Sequence, residues 1–153
     1  MNYYRTHRTK DVYYEKKLME QIVDIISDEI IDGNVIGWVQ GRMEFGARAL
    51  GNRSILANPR DPQMKSRLNR MIKKREGFRS FAPIVKEDKS NLYFNYEDTV
   101  PYMNQVVKVK DEFVKELPSI THVDNSARIQ TLNKLQNRYI YELLDRLESK
   151  NKY

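Results

Sequence analysis

Residues 35–41, VIGWVQG, are short, β-branched and aromatic, and turn-forming residues bound them. That pattern predicts a buried strand. The chain then enters GRMEFGARALGNRSIL, residues 41–56, which carries Arg42, Arg48 and Arg53 among three glycines. A buried strand that delivers arginines at its end restricts the fold, because open α/β sheets place their ligand sites at strand ends. Phe45, Ala47, Ala49, Leu50 and Ile55 interleave with the charges, so this loop is expected to pack down. Arginines held there need acceptors. Guanidinium groups match phosphate oxygens two at a time, and glycines let backbone N–H groups come close to a ligand. The competing reading is a solvated basic loop with a structural salt bridge to Glu44.

The rest of the chain alternates helical and extended patterns. Residues 1–14 hold Tyr3, Tyr4, Tyr13 and Tyr14 and read as an irregular lead-in. From Glu15 to Ile31, Leu18, Met19, Ile22, Val23, Ile26 and Ile30 share one helical face. Gly33 suits the left-handed cap that ends it. SILANP, 54–59, predicts a second strand stopped by Pro59. Asp61 and Pro62 open a helix over 62–74, with Met64, Leu68, Met71 and Ile72 on its apolar side and Gly77 as its break. Residues 78–85 and 101–110 read as extended, 88–96 as a short helix, and 113–119 as a linker. A turn and a strand-like tail are expected over 121–132. A final amphipathic helix is expected over 133–150, with Leu135, Tyr139, Ile140, Leu143, Leu144 and Leu147 inward. Mixed strands and helices without repeats predict a single α/β or α+β domain over 15–153.

Lys and Arg total 27 against 21 acids, for a net charge of +6, which favours an anionic partner. The chain has no cysteine, which excludes disulfides and a cysteine nucleophile. No apolar run approaches the ~20 residues of a membrane span, and a cytoplasmic location is expected. His7 and His122 lack metal-ligand spacing. Neither a GxxxxGK[ST] loop nor a GxGxxG turn is present. Any phosphate site is therefore arginine-based.

Two further segments compete for that role. KKREGFR, 73–79, groups Lys73, Lys74, Arg75 and Arg79 around Gly77. A polar helix end explains Lys73 to Arg75 adequately, but not Arg79, which Phe78 and Phe81 flank. THVDNSAR, 121–128, places Thr121, Asp124, Ser126 and Arg128 near a turn, where they could hold a ribose or a metal-phosphate group. An Asx-turn closing on its own backbone is the alternative. Aromatics beside Lys and Arg could also form a nucleic-acid groove, but no nucleic-acid motif is present.

Together, GWVQGRMEFGARALGNRSILANPRDPQMKSRLNRMIKKREGFRSFAP and THVDNSARIQTL resemble the two signatures of the O-carbamoyltransferases of antibiotic and nodulation-factor biosynthesis, over about residues 15–147. The resemblance implies the C-terminal part of such an enzyme, a YrdC/Sua5-like twisted open sheet with a basic concave face. It implies binding of ATP, with Mg²⁺, and carbamoyl phosphate, and formation of carbamoyl adenylate. It assigns the catalytic positions to Arg48, Lys73, Arg79 and Arg128. Arg42, Asn52, Arg53, Ser54, Thr121 and Asp124 are expected as neighbours that bind ATP and carbamoyl phosphate. Family members usually carry proline where this chain has Ala47 and Ser80.

The resemblance further implies that the acceptor site lies in a separate carbamoyl-transfer domain or chain. It also implies that the family's domain continues beyond this sequence, so a C-terminally truncated module, incomplete alone, is expected. The alternatives are a non-catalytic nucleotide-binding remnant, one subunit of a split enzyme, and an RNA-binding module. A homo-oligomer is conceivable if a sheet edge stays open; membrane and nucleic acid are not expected partners.

Overall fold

The computed structural model describes residues 2–6 and 13–151. His7 and the rest of 7–12 lie outside them. Two strands, β1 (Asn2–Thr6) and β2 (Tyr13–Lys17), pair antiparallel from Asn2↔Lys17 to Thr6↔Tyr13. This hairpin replaces the irregular lead-in expected from sequence. It also takes the first turn of the predicted helix, in line with the strand preference of tyrosine.

Helix α1 runs over Met19–Ile31, and Ile22, Val23, Ile26 and Ile30 are buried along it. Leu18, expected on that face, precedes the helix and is exposed. The end of α1 follows the Schellman pattern. Gly33, at φ +79°, donates its N–H to Ile30 O at 3.1 Å, and Asn34 donates to Glu29 O at 2.9 Å. The next residues form β3 (Ile36–Val39), which pairs antiparallel with β4 (Arg53–Leu56). Trp38 is buried on β3, as its apolar run predicts. The strand pair is thus the frame of the arginine loop, whose two ends it holds side by side.

The helix expected over 62–74 splits. A single α-helical turn, α2 (Met64–Arg67), widens into a π-helical turn over Leu68–Lys73. Lys74 then reverses the chain at φ +47°, three residues before the predicted break. The extra residue in a π turn rotates the side chains beyond it about the helix axis. Met64 and Leu68 are buried, whereas Met71 and Ile72, expected beside them, face solvent.

Strand β5 (Ile84–Lys86) comes next, then a 3₁₀ turn and the short helix α3 (Ser90–Tyr93). After them come β6 (Val106–Lys108), α4 (Asp111–Val114), β7 (Ser126–Arg128), β8 (Gln130–Leu132) and α5 (Arg138–Asn151). β5 pairs parallel with β8, and β6 antiparallel with β7. The class is α/β, as expected. The described strands are three to five residues long and pair two by two, where a single open sheet was expected.

Two cores result. One gathers β5–β7 around Phe94, Val107, Ala127 and Ile129. The other packs α1 and α5 with β3 through Ile22, Ile26, Trp38, Ile140 and Leu143. Leu135, assigned to the inner face of the last helix, lies before α5 and is fully exposed.

An ion-pair joint closes α5 onto β5. Lys86, buried, donates to Asp145 Oδ1 at 2.7 Å and to Glu148 Oε2 at 2.5 Å. Burial opposes the lysine charge, but the bonds to Asp145 and Glu148 outweigh it and raise the Lys86 pKa. The Lys86 bond in turn holds the Glu148 carboxyl below its usual range. The lysine contribution is therefore complete below the ordinary lysine range and is lost only as pH rises above it. The Glu148 contribution is complete above the ordinary carboxylate range and is lost as pH falls below it. Lys86→Met is expected to cost about 2 kcal/mol near neutrality, since both carboxylates are partly exposed and regain water. Urea unfolding should show that deficit at pH 7 and a smaller one below about pH 4.

Candidate functional site

The arginine loop is organised by one carboxylate. Glu44 Oε1 accepts the N–H of Leu50 and of Asn52, each at 2.8 Å. Glu44 Oε2 lies 3.5 Å from Arg53 Nε. Arg53 also donates to Gly46 O. For Arg53 the structural salt bridge is thus the reading that holds. Asn52 accepts from Asn137 Nδ2 at 3.0 Å and from Gln40 Nε2 at 3.3 Å, and donates to Arg42 O at 2.9 Å. Gln40 also donates to Asn137 Oδ1 at 2.6 Å, and that same oxygen caps α5 by accepting the Ile140 N–H at 3.1 Å. Gln130, buried on β8, donates to Leu50 O at 2.9 Å. The loop is thereby fixed to the strand before it and to the start of the last helix, 85 residues away at the Asn52–Asn137 contact.

Beside this loop lies a cavity of about 560 Å³. Arg48, Ser54, Lys73, Arg75 and Arg128 line it together with apolar side chains of both cores. Arg48 and Lys73 are exposed, and Arg75 and Arg128 are half-buried. The Arg128 Nε is buried and has no hydrogen-bond partner. Burial, and then the charges of Arg48 and Arg75, lower the Arg128 pKa. Among the described residues, no acid forms an ion pair with Arg48, Arg75 or Arg128. Arg128 thus meets the like charges of Arg48 and Arg75 with no acid paired to it, and Glu148, the acid that also lines the cavity, is paired with Lys86. An anion with several oxygens is the ligand that reverses this balance. A smaller groove of about 370 Å³ between α1 and α5 is lined by Glu20, Glu142 and Asp145 and has the wrong sign for an anion.

The remaining candidates are placed elsewhere. Arg79 pairs with Glu76 at 3.0 Å, exposed, and does not line the cavity. Arg42 is exposed and outside it too. Ser54 lines the cavity while its Oγ accepts the Gly51 N–H at 3.1 Å. Thr121 is buried and gives its hydroxyl to Leu117 O at 2.7 Å. Asp124 Oδ1 accepts both the N–H and the hydroxyl of Ser126, so the Asx-turn reading holds there. The Ser126 hydroxyl bond is the main reason that the Asp124 pKa is lowered. His122 Nδ1 lies 2.9 Å from the same Ser126 hydroxyl. Among the described residues, no three His, Asp or Glu side chains are grouped as a metal ion would need.

The family model for the carbamoyltransferase C-terminus matches residues 27–153. The chain belongs to that family. Over 136 residues it is 45% identical to nodulation protein NolNO of Sinorhizobium fredii, covering 87% of this chain and 20% of that protein. Nodulation protein NolO of Bradyrhizobium diazoefficiens is 44% identical over 82% of this chain and 24% of its own length. A 3'-hydroxymethylcephem-O-carbamoyltransferase of Amycolatopsis lactamdurans is 40% identical over 79% of this chain and 23% of its own. The chain spans about a fifth to a quarter of these relatives.

In this carbamoyltransferase C-terminal domain the cavity and its loop also hold residues to which the sequence assigns no binding role. Arg75 reads as an ordinary basic helix end, yet it lies in the cavity, because the π turn and the left-handed Lys74 turn it inward. Gln40, Asn137 and Gln130 are uncharged amides without a motif. Glu44 had a signal, as the lone acid inside an arginine-rich loop.

Proposed function

We propose that the cavity binds ATP and carbamoyl phosphate, and that this domain forms carbamoyl adenylate for a carbamoyltransferase. The observation that supports this reading most is the convergence of Arg48, Arg75 and Arg128 without an acidic partner, with a buried, unpartnered Nε on Arg128. Both substrates are polyanions. The carbamoyl group must first lose its phosphate to water, which leaves carbamate and inorganic phosphate. A carbamate oxygen then bonds to the α-phosphorus of ATP while the bond to the bridging oxygen breaks and pyrophosphate departs. Negative groups crowd together in that step. Fixed guanidinium and ammonium groups offset the repulsion and stabilise the leaving pyrophosphate. Positioning and electrostatics suffice, so no side-chain nucleophile is needed. Mg²⁺ enters with the nucleotide as part of the substrate. Transfer to an acceptor hydroxyl belongs to a separate domain, as the length of the relatives suggests.

The test is pyrophosphate release from ATP and Mg²⁺, with and without carbamoyl phosphate. Release that depends on carbamoyl phosphate is expected. Arg48→Ala, at the exposed rim, should weaken the binding of both ligands about tenfold. Binding without release would instead make this a nucleotide-binding domain that needs a partner for turnover. Binding of both ligands unchanged by Arg48→Ala would remove Arg48 from the site.

A further inference from the structure

Asn69 is uncharged, sits inside a helical segment and is fully buried. Its side chain and backbone nevertheless hold the basic loop at several points. Its Oδ1 accepts the Arg75 Nε–H at 2.7 Å. Its Nδ2 donates to Arg79 O at 2.7 Å and to Gly77 O at 3.3 Å. Its backbone oxygen accepts the Arg75 N–H at 3.0 Å. One residue therefore grips positions 75, 77 and 79 of the loop at once.

We propose that Asn69 is a positioning residue of the anion site, and that it acts by presenting Arg75 as an additional ligand-binding guanidinium. The inference rests on the anion-binding reading of the cavity.

The local backbone explains how. An ordinary α-helical continuation would carry the chain past Arg75 in solvent. The π turn over Leu68–Lys73 buries Asn69, and the left-handed Lys74 folds the chain back over it. π turns of this kind are frequent at functional sites. The Arg75 guanidinium is then fixed on two sides. Asn69 holds its Nε, and the Phe81 ring lies 4.9 Å from its central carbon. No described residue accepts a hydrogen bond from its two Nη groups, which leaves both for a phosphoryl or carboxyl ligand in the cavity. A planar fork clamped at Nε and stacked on a ring loses little freedom when it binds such a ligand. Arg75 also acts on Arg128, whose pKa it helps to lower.

The experiment is a double-mutant cycle read by calorimetric titration of Mg·ATP and of inorganic pyrophosphate. The proteins are the wild type, Asn69→Ala, Arg75→Ala and the double variant. Asn69→Ala is expected to weaken binding about tenfold and Arg75→Ala at least as much. The double variant should be no weaker than Arg75→Ala alone, because Asn69 acts through Arg75. In parallel, hydrogen exchange of the Arg75 Nε–H by NMR should be slow in the wild type and fast in Asn69→Ala. Should the alanine variant not fold, Asn69→Ser retains a buried hydroxyl that is too short to reach Arg75, and the same shifts are expected of it. Losses that multiply in the double variant, or an Arg75 Nε–H whose exchange ignores Asn69, overturn the inference and leave the anion site standing. A wild type that binds neither probe overturns both.

Discussion

Arg128→Met is expected to lower the affinity for Mg·ATP and for carbamoyl phosphate about a hundredfold while making the ligand-free protein more stable. The two effects come from one cause. Arg128 lies on β7 between Ala127 and Ile129, both completely buried, and its Nε finds no acceptor. Burial and the neighbouring Arg48 and Arg75 charges oppose its protonated form. A half-buried cation with like charges around it costs stability unless an anion is present. Methionine fills the space of the arginine stem as far as Nε and fits an apolar surrounding without that cost. The ligand-free protein should gain about 1 kcal/mol, read as a rise of a few degrees in melting temperature. In the wild type, by contrast, pyrophosphate should raise the melting temperature by mass action. The variant should lose most of that response. A variant that is less stable and still binds would mean that Arg128 serves the fold, and the adenylation reading would lose its central cation.

The sequence made some of this site legible and hid the rest for definable reasons. The strand at 36–39 and the arginines after it could be read because apolar periodicity and turn residues are local signals, but its burial is limited to Trp38 and Val39 faces solvent. The Gly33 cap was legible for the same reason, since a left-handed residue after an apolar helical face has few alternatives. Arg48, Lys73 and Arg128 came from the match to two signatures, and the fold brings all three to one cavity. Arg79 came from the same match and is turned outward to Glu76. What brings Arg75 rather than Arg79 to the cavity wall is the π turn, and a π turn has no periodic signature in a window of a dozen residues. It also misplaced Met71 and Ile72, which a 3.6-residue period puts inside. Thr121 and Asp124 looked like ligand groups by type and by their place in the second signature. Side chains of that length reach their own backbone first, and here they do. The amides that brace the loop were illegible because each contact spans a large sequence separation: 80 residues from Gln130 to Leu50, and 97 from Gln40 to Asn137.

That bracing leads to the largest stability effect expected of a single methyl group. Gly51 sits at φ +115°, a conformation that side-chain-bearing residues rarely adopt. A Cβ there would lie 2.9 Å from Asn137 Nδ2 and 3.3 Å from Ile140 Cγ1. Asn137 cannot simply move aside. It caps α5, accepts from Gln40 and donates to Asn52 through the same amide. Gly51→Ala therefore combines backbone strain with the loss of a partly buried amide network. We expect about 3 kcal/mol of destabilisation and a melting temperature lower by on the order of 10 °C. The damage should also reach the ligand site, because Leu50 and Asn52 on either side of Gly51 are the residues that Glu44 holds in place. Asn137→Ala separates the two contributions. It removes the amide and its clash together and leaves only the 3.3 Å approach to Ile140 Cγ1, so adding Gly51→Ala to it should cost mainly the backbone term, about 1–2 kcal/mol. Urea unfolding of the two single variants and the double variant measures both terms. Full additivity would show that Gly51 is required for its backbone angle alone, and that the loop does not depend on its approach to Asn137.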